Sequence, residues 1–430
     1  MLIPKKDIEA IRSLASIEKI VRSYNIDVKR ANNHQLVCLC PFHDDHHPSL
    51  ELDEETNRYR CWACGEHGDV FDFVMQMEDL NFPKSVQRVA DLIQYPIDVR
   101  EIKQETIDPS LKRIYDLNEE AIQFMHCQLL TKQGLIANEY LKKRKIDEEL
   151  ANRFLIGYCP SGNELYHYLL SKGYSEVEML EADLIKVYQY TVNEVFEKRI
   201  TMPIYDEEKH VIGIVGRRIV EDDSSPKYIN TKKTRLYRKK DSFFGCKNAL
   251  QMAQKKERLY LVEGPFDVLA FAKCGYLNCV SLLGLNLSET QIAILKKYVN
   301  EIVLCFDHDE AGKLATVNVG RSFVENQFDV VSVYYQDHAF KDVDELVLHT
   351  GKTGLDLLLS KELDWVEMCM LYYEELYDFS TRCGKRKYRN KMIAEIESLV
   401  NEEEKTYWFN YLAYQMQFHK EDFKKELHQF

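Results

Sequence analysis

Leu259-Tyr260-Leu261-Val262-Glu263-Gly264 and Ile302-Val303-Leu304-Cys305-Phe306-Asp307-His308-Asp309 decide the fold. Each is a short, unbroken apolar run that ends on an acid. Such a run reads as a strand buried on both faces, the character of a parallel sheet. From Leu259 to about Tyr335 the pattern is strand, helix, strand, helix, strand, helix, strand, and alternating β and α implies parallel strands. Ser288 with Gln291 predicts a capping box for the helix through Tyr298, and Gly275 a stop for the helix before it. Asp267 follows Glu263 by four residues, and a third acidic point comes at Asp342 and Asp344. Open α/β sheets bind ligands outside the carboxyl ends of their strands. Acids converging there do not all ionise without a cation between them. The stretch therefore predicts a divalent-metal site that handles phosphates.

Immediately upstream the charge reverses. Net charge is −13 over 430 residues, yet Arg217 to Lys256 holds twelve Lys or Arg against four Asp or Glu. A basic stripe on an acidic protein can track a phosphate backbone. Ile200 to Tyr205 and Val211 to Val215 read as strands, and Leu111 to Lys132 and Leu135 to Lys145 as helices. Beyond the acidic stretch, Lys361 to Phe430 is helical by pattern.

Further upstream, Cys40-Pro41-Phe42-His43 and Cys61-Trp62-Ala63-Cys64 stand 17 residues apart. Two short chelating pairs across a loop are the pattern of a closed, structural zinc site, with Cys40, His43, Cys61 and Cys64 as ligands. Cys38 is expected to face away from Cys40, and His46, His47 and His67 to be solvated. Phe42, Tyr59, Trp62, Arg58 and Arg60 suit stacking on single-stranded bases or simply cover the metal. A helical pattern runs from Ile8 to Val21, and strands are expected at Gln35–Cys40 and Asn57–Arg60. Val70, Val74 and Met77 mark one helix face, and Pro83 opens another helix.

Length predicts two to four domains. The 45% apolar content is that of a globular protein, and no apolar run is long enough to span a bilayer. The N-terminus lacks a signal-peptide core, and nine of the twelve cysteines are scattered, which predicts a soluble, cytoplasmic protein without a membrane partner. Gly351-Lys352-Thr353 imitates the end of a P-loop, but Leu346 stands where that motif needs its first glycine.

Zinc pairs followed by an acidic sheet, in this order, resemble the bacterial DnaG-type DNA primases over nearly the whole chain. Gly68-Asp69-Val70-Phe71-Asp72-Phe73 adds to the likeness of the zinc domain. Lys198 to Ile204, Gly213 to Arg217 and Pro226-Lys227-Tyr228-Ile229-Asn230 look like the family's template-facing region. Val262-Glu263-Gly264 with Asp267, Asp307-x-Asp309-x-Ala311-Gly312 and Lys341-Asp342-Val343-Asp344 look like its Toprim metal site. The resemblance implies a multidomain α/β chain. Its parts are a zinc-ribbon domain at 1–100, a linker at 101–110 and a mixed α+β basic subdomain at 111–257. A Toprim parallel sheet follows at 258–345 and a helical C-terminal subdomain at 346–430. Pro265-Phe266 departs from the family's usual Tyr-Met, and His308 from its usual glycine. The family usually carries a further helicase-binding domain, which this chain is expected to lack.

The implied activity is synthesis of short RNA primers on single-stranded DNA. Glu263, Asp267, Asp307 and Asp309 form the implied catalytic set. Glu263, Asp307 and Asp309 would hold Mg²⁺ or Mn²⁺, with Asp342 and Asp344 behind them. Asp267 is equally well read as a helix cap. Arg199, Arg217, Lys227, Tyr228, Asn230 and Lys239 would contact template and nucleotide. The implied partners are single-stranded DNA, NTPs, the RNA–DNA hybrid, a replicative helicase and a single-strand-binding protein. Two rivals use the same features: a Toprim nuclease, and a non-catalytic zinc-ribbon protein that binds single-stranded DNA.

Overall fold

The computed structural model describes residues 5–31, 35–43, 45–78, 80, 82–96, 108–220, 225–284, 287–333 and 340–416. Most of the expected linker and the last fourteen residues lie outside them. The chain divides into two compact units, Met1–Pro109 and Ser110–Phe430. Among the described residues no helix is long and apolar enough to cross a membrane.

The first unit is built on an antiparallel meander of five strands: Lys29–Arg30, Gln35–Cys38, Leu50–Asp53, Arg58–Cys61 and His67–Gly68. Arg58–Cys61 alternates exposed and buried, so Tyr59 and Cys61 point inward and the two arginines outward. The inward set packs with Leu50, Leu52, Phe71, Phe73 and Val86. The helical pattern from Ile8 to Val21 is two helices, Lys5–Leu14 and Ile17–Ser23. Ser16 breaks it: its backbone is extended and its hydroxyl accepts from the Lys19 N–H.

In the second unit, an antiparallel sheet runs in the order Tyr228–Asn230, Val211–Arg218, Arg199–Tyr205, Gly157–Cys159. A six-stranded sheet follows in the order Phe243–Gly245, Cys279–Leu282, Arg258–Val262, Glu301–Leu304, Asp329–Val333, Glu362–Asp364. Its four inner strands are parallel and its two edge strands antiparallel. The sheet is thus mixed, where the sequence predicts a purely parallel one. Each edge strand comes from beyond the expected 258–345 segment. Three-residue strands carry too little pattern to be seen in sequence.

The capping box at Ser288 is present, closing Glu289–Leu295, a turn shorter than expected. Gly275 follows Pro265–Lys273 with φ of 91°, the left-handed conformation that ends a helix. Three C-terminal helices, Trp365–Leu376, Arg382–Ser398 and Glu402–Gln415, close one face. Gly320 lies so close to the Trp365 ring that any Cβ there would collide with it. Gly351, with φ of 66°, kinks the helix Val343–Leu359. The Gly-Lys-Thr triplet therefore sits at a helix kink and not in a strand-to-helix phosphate loop.

Candidate metal centres and nucleotide site

Glu263 directly follows the strand Arg258–Val262, and Asp307 lies three residues past Glu301–Leu304. The two strands are neighbours, with Leu261 paired to Leu304. The chain leaves the first toward Cys279–Leu282 on one side and returns to Glu301–Leu304 on the other. Both acids therefore flank the point where strand order reverses, the crevice in which open α/β sheets take ligands. Glu263 Oε1 accepts the Asp307 N–H at 3.1 Å. A Cβ on Gly312 would stand 2.1 Å from the Asp307 carbonyl oxygen and 2.8 Å from that Glu263 oxygen, so only glycine allows the close approach. Asp309 caps the helix Glu310–Val324, accepting the Gly312 N–H at 3.0 Å, and lies 3.3 Å from Lys341 Nζ. Asp342 caps Val343–Leu359 through the Glu345 N–H at 2.8 Å.

Burial, then the charges of Glu263, Asp342 and Asp309, pushes Asp307 up to about 7. Glu263 is raised by burial and by Asp309 and Asp342. Asp309 moves the other way, held low by the Gly312 N–H and Lys341. Hard carboxylate oxygens that repel one another at a sheet's carboxyl edge fit Mg²⁺ or Mn²⁺. Their geometry is looser than that of the zinc quartet: among the described residues only the quartet has its ligand atoms all within 4.8 Å of one another.

Asp267 and Asp344 stand apart from the crevice acids. Asp267 is buried, and its oxygens accept the Gly264 and Asp344 N–H groups, each at 3.1 Å. Burial, with Asp342 and Asp307, raises it well above the usual carboxylate range. Of its two readings, the cap is the one with contacts. Asp344, read from sequence as a reserve metal ligand, is 3% exposed and paired with Arg144 at 2.5 Å and Lys273 at 3.5 Å. Two cations already balance its charge, so it anchors the helix Val343–Leu359 to neighbouring elements.

The expected template and nucleotide contacts also separate into two groups. Lys239 and Glu263 line one cavity of about 270 Å³ with Leu282, Leu283 and Phe306. Lys227 is exposed, near enough to Asp342, Lys341, Arg217 and Arg144 to feel each charge. Asn230 is half-buried, and its Oδ1, itself enclosed, has no hydrogen-bond partner among the described residues. Arg217, in contrast, is 5% exposed. Its guanidinium lies 4.1 Å from the Phe266 ring centre, donates to Tyr140 Oη at 2.6 Å and bonds the Tyr228 hydroxyl. Arg199 is buried too, donating to Pro226 O at 3.0 Å and Ser225 Oγ at 3.3 Å. Both arginines, expected to grip phosphate, instead hold the Pro226–Asn230 segment from behind. Phe266 is the ring on which Arg217 rests.

In the first unit, Cys40 Sγ and Cys64 Sγ are 3.8 Å apart and Cys61 Sγ and His43 Nδ1 4.0 Å. Sulfurs on one tetrahedral zinc stand about 3.8 Å apart, given Zn–S bonds near 2.3 Å. The quartet fits one structural Zn²⁺. Burial acts to raise Cys61, but hydrogen bonds from the Cys64 N–H and the Ser49 hydroxyl outweigh it and bring the thiol down to about 6. Asp45 was not singled out in the sequence. It accepts the Cys40 N–H at 2.8 Å and the Ser49 hydroxyl at 2.6 Å, and lies 3.8 Å from His43 Nε2, an orienting outer partner. The acidic run after Cys40-Pro41-Phe42-His43 was its only signal.

Cys38 is outside the quartet, but not for the expected reason. Residues two apart share a strand face, and the strand ends at Cys38. Tyr59 is buried against Phe42 and Phe73, whereas Trp62 is 66% exposed with the Arg60 guanidinium 4.1 Å from its ring. Of the aromatics offered for base stacking, Trp62 is thus the exposed one, with Arg60 on its ring and its indole N–H donating to Glu51.

Comparison with known proteins divides the chain in the same order. Residues 3–105 match the CHC2 zinc finger family, 124–250 the N-terminal domain of the DNA primase catalytic core, and 260–347 a Toprim-like family. A DNA primase of Clostridium acetobutylicum is 30% identical over 369 residues, which are 85% of this chain and 60% of that protein. The chain thus spans less than two thirds of that relative. The zinc-binding and RNA polymerase domains of the Aquifex aeolicus primase superpose with a TM-score of 0.62 at 25% identity, covering 96% of this chain and 97% of that one. A DnaG primase catalytic domain bound to single-stranded DNA shares the fold, with a TM-score of 0.63 at 24% identity over 72% of this chain and 98% of that one.

Proposed function

The chain belongs to the bacterial DnaG-type primase family, and on that premise we propose that it synthesises short RNA primers on single-stranded DNA. The observation that carries the reading is a juxtaposition. Glu263, Asp307 and Asp309 meet at the strand-order switch, and Lys239 opens into the same cavity as Glu263. A site for phosphoryl transfer needs acids for metal and fixed cations for the nucleotide beside them. Glu263, Asp307 and Asp309, with Asp342 adjacent, would hold Mg²⁺ or Mn²⁺, which when bound supplies charge for the phosphates and for the attacking 3′ hydroxyl. Lys227 and Lys239 draw the triphosphate toward the crevice. Arg199 and Arg217 fix the segment that presents Lys227, Tyr228 and Asn230, so these act as a preformed platform for template and nucleotide. Trp62 offers its ring to a single-stranded base. A replicative helicase and a single-strand-binding protein are proposed partners on the strength of family resemblance.

The test is incubation with single-stranded DNA, labelled NTPs and Mg²⁺ or Mn²⁺. New oligoribonucleotide supports the proposal. Shortened DNA would favour a nuclease, and binding without either product a zinc-ribbon binding protein.

A further inference from the structure

We propose that Lys341 is a built-in counter-cation of the acidic crevice. It competes with the divalent ion for Asp309 and, once displaced, contacts the phosphates of the incoming nucleotide. The inference rests on the reading of this crevice as a metal-dependent priming site.

Three contacts carry it. Lys341 Nζ lies 3.3 Å from Asp309 Oδ2. The Lys341 N–H donates to Glu345 Oε2 at 2.8 Å, and its carbonyl accepts the His308 N–H at 3.0 Å. The backbone is therefore pinned on both sides of the residue, next to the acid, while the side chain is 62% exposed. A solvated ammonium on a four-carbon stem is a point charge that changes partners at small cost. Asp309 does not swing with it, because the Gly312 N–H holds its other oxygen. Lys227 and Lys239 also lie at the crevice, but among the described residues Lys341 is the one whose ammonium is within ion-pair distance of Asp309. Arg144 and Lys273 pair with the buried Asp344, and Arg217 sits among Tyr140, Tyr228 and Phe266. Lys341 thus places a mobile positive charge where metal and triphosphate must meet.

The consequence is a lowered metal affinity until nucleotide arrives. A unit charge about 5 Å from a divalent ion in near-aqueous surroundings weakens its binding by about tenfold. Once the metal takes Asp309, the displaced ammonium is within reach of phosphate oxygens, so the charge that opposed the metal then favours the nucleotide.

The experiment uses the full chain with zinc loaded, as parent, Lys341→Met and Lys341→Arg. Mn²⁺ binding without nucleotide is followed by electron paramagnetic resonance of the free ion. Lys341→Met should bind Mn²⁺ about tenfold tighter, and Lys341→Arg should stay within twofold of the parent. At saturating Mn²⁺, Lys341→Met should raise the NTP KM several-fold with kcat little changed. A Mn²⁺ affinity in Lys341→Met within twofold of the parent overturns the competition. Tighter Mn²⁺ with an unchanged NTP KM overturns the phosphate contact. Lys341→Gln repeats both measurements if the Met variant fails to fold. A parent chain that binds Mn²⁺ but makes no RNA would sink the priming reading alone, since the metal titration decides the competition by itself.

Discussion

Replacing Glu263 with Gln keeps the side chain's size and an acceptor for the Asp307 N–H, but removes a charge that burial already disfavours. The variant should fold at least as well as the parent. Primer synthesis should fall by about a hundredfold or more, because the charge that would hold the metal is gone. Gel analysis of labelled products beside a thermal melt checks both halves, and near-parental synthesis would show the metal site to be misplaced. Asp267→Asn keeps an acceptor for only one of the Gly264 and Asp344 N–H groups, so it should cost stability but much less activity than Glu263→Gln. Asp364 gives a pH test away from the crevice. Burial, then neighbouring acids, raises it from 3.8 to about 6. Its ionisation therefore disfavours the fold, and stability is lost as pH rises from about 4 through 6. Asn caps a helix as well as Asp, so Asp364→Asn should gain stability over the parent at pH 7.5 and not at pH 4. Equal differences at both pH values would rule out the titration of Asp364 as the cause.

Elements are held by caps and by two buried ion pairs that differ in legibility. Ser288 and Gln291 cap each other's backbone at 3.1 Å, as their spacing predicts. Ser288→Ala should cost about 1 kcal/mol in urea denaturation. The ion pairs were invisible in sequence. Asp344 with Arg144 joins residues 200 apart. Glu395, fully buried, accepts from Arg321 Nε at 2.8 Å and from the Tyr373 hydroxyl at 2.6 Å, tying a C-terminal helix to Glu310–Val324. Glu395→Ala removes a fully buried acceptor from the Tyr373 hydroxyl and from the partly exposed Arg321, and should destabilise the second unit by about 2 kcal/mol. A loss below about 1 kcal/mol would mean that the pair is solvated.

For the whole molecule, the division into two units separates the zinc test from the catalytic one. A Cys61→Ser, Cys64→Ser double variant should lose its one zinc by metal analysis. The second unit should keep its melting transition, because among the described residues its cores contain none from the first. Stoichiometric zinc in that variant would contradict the ligand set. The basic stripe should make single-stranded DNA binding fall steeply with salt. Neutralising Lys227 and Lys239 should reduce the log–log salt slope by about 1.4, two contacts at roughly 0.7 each. An unchanged slope would place the template elsewhere.

Local sequence determined the features that local physics controls. Zinc-ligand spacing, apolar runs ending on acids, the Ser288 capping box and the Gly275 stop all depend on residues a few positions apart, where chain geometry leaves little freedom. Tertiary structure alone decided what each charge does. Glu263, Asp267, Asp342 and Asp344 look alike in sequence, yet Glu263 and Asp342 face the crevice, Asp267 is buried and accepts two backbone N–H groups, and Asp344 is paired with Arg144 and Lys273. Arg199 and Arg217 read as phosphate grips until Pro226, Tyr140 and Phe266 are seen to enclose them. A charge's role is set by its burial and its partners, and both come from chain segments tens to hundreds of residues away.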